Sequence, residues 1–331
     1  MAIFKTLVKF MVYPRIMRAI SILFCFVGSL TLYAQPSVWH EELIEIEEDK
    51  EIHTFIHGDQ LYTQEWDKLP QPLFWKKIMH LTPDSVLINV ASNRTILSKM
   101  SYKDWHKQTE SQKLHTKDSL RIAYGLNPST TLNVTTGKSD FYRFHDVYSS
   151  LSQGVKAFEK VDVDPWYAQS ILLIESPGQL KKSTVGAYGP FQLMPSVARA
   201  QGLTVNDKID ERADFERSAY AAARLLKRSC IPSAKRIAHE HGLSYNENDL
   251  WFRLLVLHVY HAGALNVAAA VKKINPTEGG RSLIEQLWQT TAASFGNNSQ
   301  NYSQLALAAH LILHEMIHNR CDHLYWCADM N

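Results

Sequence analysis

The spacing of apolar positions changes near residue 140. Upstream, apolar residues alternate with polar ones over short stretches, 85–90 (SVLINV) and 131–135, a period of two that predicts strands. Helical spacing interrupts them over 73–80 and 102–124, and an acidic run from Glu41-Glu42 to Glu51 opens the stretch. Residues 35–139 therefore read as a small α+β region. Downstream the period is helical. Residues 145–161 carry apolar positions on one helical face, and Asp164-Pro165 marks a helix start, because Asp can cap and Pro suits the first turn. That helix runs over 166–175 and stops near Pro177-Gly178. A glycine- and proline-rich loop extends to Pro195, and further helices are expected over 214–228, 249–273, 282–290 and 299–318. The expected fold is mainly α: an all-helical domain at 140–318, preceded by the α+β region and followed by a tail at 319–331. No repeat period emerges.

The first 34 residues change the charge picture. Lys5, Lys9, Arg15 and Arg18 precede an apolar run from 19 to 34 that ends Leu32-Tyr33-Ala34 before Gln35. Basic, apolar, small, then polar is the order of a secretory signal. The run is short for a membrane span, and no second stretch of spanning length follows. Leu32 is larger than the usual residue at its place, so an uncleaved N-terminal anchor is the alternative. Phe24 before Cys25 argues against a lipoprotein box. Export implies a periplasmic location, free or associated with the outer membrane. Net charge is +2 over 331 residues, with 21% charged and 45% hydrophobic positions, a globular balance. No polybasic block exists, so nucleic acid is not an expected partner. After the signal, Cys230, Cys321 and Cys327 are left. Cys321 could pair with Cys327 in an oxidising compartment, or all three could be thiols.

Glu175 carries the candidate chemistry. It follows Ile171-Leu172-Leu173-Ile174, so its carboxyl is expected to be partly desolvated and to hold a proton near neutral pH. A general acid needs that property. Around it stand Ser176, Ser183, Gly186-Ala187-Tyr188-Gly189, Gln192-Leu193-Met194-Pro195 and Ser196-Val197-Ala198. Further on come Asp210-Glu211-Arg212-Ala213-Asp214, an alanine-rich stretch at 219–226, Val259-Tyr260-His261-Ala262-Gly263, and Tyr302 within Asn301-Tyr302-Ser303. In this order the segments resemble the lytic transglycosylase family with the lysozyme-like fold, over about residues 140–318.

The resemblance implies Glu175 as the catalytic acid/base and Ser176, Ser183, Gly186, Gln192, Met194, Tyr260, His261 and Tyr302 as substrate-binding residues. It implies peptidoglycan glycan strands as substrate, with neither metal nor cofactor. Residue chemistry is compatible: glycines permit close approach, Ser183, Gln192 and Tyr260 offer neutral hydrogen bonds, and Met194 offers an apolar floor. The chain departs from the family pattern in three places. Glu175 and Ser183 stand one residue closer than usual, Gly178 replaces a frequent aromatic, and His261 replaces asparagine. His261 can do the asparagine's work, alter subsite preference, or face the core.

With no second acid assigned, the resemblance implies that Glu175 protonates the oxygen between N-acetylmuramic acid and N-acetylglucosamine. It then takes the proton of the muramoyl 6-hydroxyl, leaving a 1,6-anhydro end. Three rivals exist. His314-Glu315-Met316-Ile317-His318 fits the zinc motif H-E-x-x-H, but His323 stands one residue short of a third-ligand position. A non-catalytic wall-binding or scaffold protein could dock a cell-envelope partner through residues 35–139. A hydrolytic lysozyme would use water in place of the 6-hydroxyl. Thr136-Gly137-Lys138-Ser139 is no phosphate loop, because Leu132 occupies the place of its first glycine.

Overall fold

The computed structural model describes residues 41–46, 51–175 and 182–321. All of them fall within one compact unit. The signal at 1–34, the tail from 322, and Cys327 and His323 lie outside the described residues. No described helix is long and apolar enough to cross a membrane.

The protein is mainly helical, and among the described residues its strands are confined to the N-terminal region. The acidic run conceals a hairpin: β1 (Glu41–Ile46) pairs antiparallel with β2 (Glu51–Ile56), Glu41 opposite Ile56. Its alternation is broken by acidic neighbours, which is why periodicity missed it. A short α1 (Asp59–Thr63) and α2 (Pro70–His80) follow, the latter with Pro at its first turn. Next come β3 (Ser85–Val90) and β4 (Ile96–Ser101), then α3 (Tyr102–Lys107) and α4 (Glu110–Ala123). The expected helix over 102–124 is thus two. Thr109 restarts the chain with a reciprocal cap: its hydroxyl accepts from the Gln112 N–H at 3.3 Å, and the Gln112 side chain accepts from the Thr109 N–H at 2.8 Å. β5 (Leu132–Thr136) completes a three-stranded antiparallel sheet in the order β4-β3-β5. On central β3, Val86, Ile88 and Val90 face a small core with Leu97, Trp105 and Leu132, while Leu87 faces the main core.

The helical part begins with α5 (Tyr148–Glu159) and α6 (Trp166–Glu175), then α7 (Pro195–Ala200), α8 (Phe215–Leu225) and α9 (Ile231–Glu240). A π turn over Leu226–Cys230 links α8 to α9. It sits where Pro232 removes the donor that the Arg228 carbonyl would have used. Sequence spacing ended this helix at 228 and missed α9. α10 (Leu250–Ala262) and α11 (Ala264–Ile274) replace the single helix expected over 249–273, because Gly263 adopts φ 81° and ψ 150°. α12 (Arg281–Leu287) and the long α13 (Asn297–Cys321) close the fold.

The main core ignores the boundary at residue 140. Phe55, Leu61, Trp66, Phe74 and Ile78 are buried in the same cluster as Leu151, Trp166, Leu255 and Leu311. Gln169 on α6 completes the edge of β2, donating to the Ile56 carbonyl at 3.0 Å and accepting from its N–H at 2.9 Å. Trp75 on α2 donates to Gln304 on α13 at 3.0 Å. The N-terminal region is part of the body that carries the helices, built against both α6 and α13.

Candidate active site

α6 is buried all round: every residue from Trp166 to Ile174 is inaccessible. Its start is fixed by Asp164, whose Oδ1 accepts from the Trp166 N–H at 2.9 Å and whose Oδ2 accepts from Arg253 of α10 at 2.6 Å. His310 of α13 stacks on Trp166, with centroids 5.0 Å apart, and meets Ser170 Oγ at 2.7 Å. A helix pinned at these points delivers its last residue, Glu175, to a set position.

Glu175 is half-buried at the edge of a cleft of about 600 Å³. Burial raises its carboxyl pKa from the ordinary 4.5 to about 7, with the nearby Tyr302 hydroxyl pulling the other way. The carbonyl end of α6 adds nothing to favour an anion there. The cleft draws Ile174 and Glu175 from α6, His261 from the end of α10, and Asn297, Asn301, Tyr302 and Leu305 from α13. Phe141 and Tyr142 join from the linker, and the facing wall is N-terminal: Trp75, Arg94, the β5 residues Asn133 to Thr136, and Lys138. Among the described residues, Glu175 is the one carboxyl in that lining.

Tyr302 is buried, and its hydroxyl makes no hydrogen bond of standard geometry among the described residues. It nevertheless lies near enough to the Glu175 carboxyl for each to perturb the other. His261 stacks on the Tyr302 ring at 4.3 Å and 20°. It opens onto the cleft, and desolvation pushes its pKa down to about 4, so it is a neutral donor and acceptor at pH 7. Of the three readings of His261, the core-facing one is excluded. A second cavity of about 280 Å³, between β2 and α10, has its charges paired: His57 with Asp59 at 2.5 Å, and Arg253 with Asp164 at 2.6 Å.

Residues 154–279 match the family model described as a transglycosylase SLT domain. This stretch is a transglycosylase SLT domain. A domain of this kind supports a lytic transglycosylase-type, peptidoglycan-acting function. No curated protein matches the chain. The SLT match begins within α5, includes Glu175 and His261, and ends before α12. Tyr302 and the N-terminal wall lie beyond it.

Within the SLT domain, the loop after α6 is organised by buried Arg212. It grips Asp210 with two hydrogen bonds, at 2.8 and 2.6 Å, and donates to the carbonyls of Gly186 and Leu193, both at 2.8 Å. A side chain at Gly189 would meet the Arg212 carbonyl oxygen at 1.8 Å, and its φ is 84°. Ser183 closes a turn: its Oγ accepts from the Ala187 N–H at 2.9 Å. Gln192 folds back to the Gly189 carbonyl at 3.0 Å from a positive φ of 46°. Tyr260 donates to the Phe191 carbonyl at 2.6 Å, bracing the loop beside Glu175. Met194 is exposed at the start of α7. The structure thus brings Glu175, His261 and Tyr302 to the cleft. Ser183, Gly186, Gln192, Met194 and Tyr260 belong to the adjoining loop and its brace, not to the cleft lining. Ser176 lies outside the described residues.

Sequence reasoning missed Trp75, Arg94, Lys138, Tyr142 and the asparagines of α13. Only the Asp210–Arg212 spacing offered a local signal for the loop clamp. In the zinc-like motif, His314 Nδ1 meets the Tyr62 hydroxyl at 2.8 Å and Glu315 pairs with Lys76. The His318 side chain lies outside the described residues. Cys230 is a buried free thiol, its pKa pushed up to about 12 by burial.

Proposed function

We propose that the protein is a lytic transglycosylase that cleaves the β-1,4 bond between N-acetylmuramic acid and N-acetylglucosamine, with Glu175 as its single acid/base. The observation that carries this reading is a desolvated carboxyl with a pKa of about 7 at the cleft, with no other carboxyl in the lining among the described residues. Most glycosidases use two carboxylates, one of them a nucleophile or a base for water. A lone carboxyl poised near neutrality can serve in both directions, as acid and then as base.

Protonated Glu175 gives its proton to the glycosidic oxygen as the bond to the anomeric carbon breaks. The sugar's own acetamido oxygen supports the positive centre. Ionised Glu175 then takes the proton of the muramoyl 6-hydroxyl, which attacks the anomeric carbon and closes the 1,6-anhydro ring. The Tyr302 hydroxyl favours the ionised state between the two steps, and neutral His261 holds the Tyr302 ring and offers a hydrogen bond to the sugar. The basic-apolar-small order of residues 1–34 supports export to the periplasm.

The test is mass spectrometry of purified peptidoglycan digested by the mature protein and by Glu175→Gln. Anhydro-muropeptides from the wild type alone are expected. Reducing ends in their place would make water the nucleophile, and equal activity in the variant would remove Glu175 from its role.

A further inference from the structure

Resting on that reading of the cleft, we propose that Arg94 and Lys138, placed by the N-terminal region across the cleft from the SLT domain, form a subsite for carboxylates on the muramoyl substituent of the glycan.

Arg94 is 5% exposed. Every other buried aspartate or arginine among the described residues sits in an ion pair: Asp164 with Arg253, and Arg212 with Asp210. Arg94 has no carboxylate partner among the described residues. Its guanidinium lies over the rings of Phe74 and Trp75, at 5.5 and 5.6 Å, and donates to Asn301 Oδ1. The remaining donors of a guanidinium suit the fork of a carboxylate. Burying an unpaired ion is costly, so an arginine kept this way needs a compensating anion. The backbone adds to the cost: Arg94 sits at φ 60° in the turn between β3 and β4, a region unusual for a side-chain-bearing residue.

Lys138 stands beside it. Its Nζ is 5.9 Å from the Trp75 ring, and it has no carboxylate partner among the described residues. Its backbone is anchored, donating to the Ile78 carbonyl at 2.9 Å. Two cations therefore face a cleft whose lone carboxyl, Glu175, is largely neutralised by its own proton below pH 7. Unsubstituted N-acetylglucosamine polymer is neutral and offers these cations nothing. Peptidoglycan offers carboxylates from two sources: those of the stem peptide, and the lactyl carboxylate exposed when that peptide is removed. Asn133, Thr135 and Thr136 on β5 add neutral partners suited to peptide amides.

The experiment compares peptide-bearing glycan strands, amidase-stripped strands and chitin oligosaccharide. Binding is measured with Glu175→Gln, and cleavage with wild type. The expected result is preference for the anionic strands over chitin oligosaccharide, weakened by salt. Lys138→Ala should reduce that preference about tenfold, the size of one charge-assisted hydrogen bond. Lys138 is exposed, so its loss is not a folding risk. Arg94→Lys, which keeps the charge but loses the fork, should reduce the preference less than Arg94→Gln. Tighter binding of peptide-bearing than stripped strands identifies the stem peptide as the source, and the reverse identifies the lactyl group. Equal affinity for all three polymers, or equal weakening of all three in Lys138→Ala, would overturn the proposal. A wild type that makes no anhydro products yet keeps the preference would instead sink the catalytic reading and leave this one standing.

Discussion

Folding makes Glu175 hold a proton that the unfolded chain would release. Its pKa rises from 4.5 to about 7, chiefly through desolvation. Between those values the native state binds more protons than the unfolded state, so stability falls as pH rises through that window and levels off above it. Each pKa unit is worth about 1.4 kcal/mol, so the full cost of ionised Glu175 is about 3 kcal/mol at roughly pH 8. Glu175→Gln keeps the shape and has no proton to lose. The variant should match wild type near the lower end of the window and exceed it by up to ~3 kcal/mol at about pH 8. Urea denaturation of both proteins across this pH range reads the difference directly. A difference that does not change with pH, or a variant less stable than wild type on the alkaline side, would refute the argument that Glu175 is held protonated by its surroundings.

Tyr302→Phe removes the hydroxyl that lowers the Glu175 pKa. The alkaline limb of the kcat/KM profile should therefore move up, by no more than about half a pH unit for a poorly formed hydrogen bond; an acid shift would contradict it. Arg212→Ala breaks a buried ion pair and frees the Gly186 and Leu193 carbonyls. Because Asp210 is partly exposed, the loss should sit near the low end for such pairs, about 3 kcal/mol, with activity falling as the loop loosens. Chemical denaturation that finds less than about 1 kcal/mol would show the clamp to be unimportant.

Glu175 was legible because local sequence causes its environment. Four consecutive apolar residues before it require a buried helix, and the proline after it requires an end. The strands at 85–90 and 132–136, the start at Asp164 and the course of α13 were legible for the same reason: period and capping act within a few residues. Breaks inside long helical patterns were not. Gly263 separates α10 from α11 through a backbone angle that apolar spacing does not encode. The β1–β2 hairpin was hidden because its acidic residues mask the alternation. The far wall of the cleft was illegible for a stronger reason. Arg94 approaches Asn301 across more than half the chain, and only packing of α2 against α13 brings them together. His261 shows the same limit: its place in the pattern was visible, but its neutrality depends on the surrounding protein.

The placement of uncompensated groups links fold to function. The Asp164–Arg253 and Asp210–Arg212 pairs are satisfied, and they fix the start of α6 and the described part of the loop that precedes α7. Three uncompensated groups share one cavity: Glu175 desolvated, Tyr302 without a well-formed hydrogen bond, and Arg94 without a counter-ion among the described residues, its pKa pushed down to about 10 by burial. Each costs stability in the empty protein, and a bound glycan can relieve each. On the proposed reading, a glycosidic oxygen would take the proton of Glu175, a sugar hydroxyl or acetamide would meet Tyr302, and a carboxylate would meet Arg94. Strain with a common direction is what preorganisation for a ligand looks like. A scaffold protein that used residues 35–139 only to dock a partner would have no reason to spend a buried arginine on the inner wall of its neighbour's cleft.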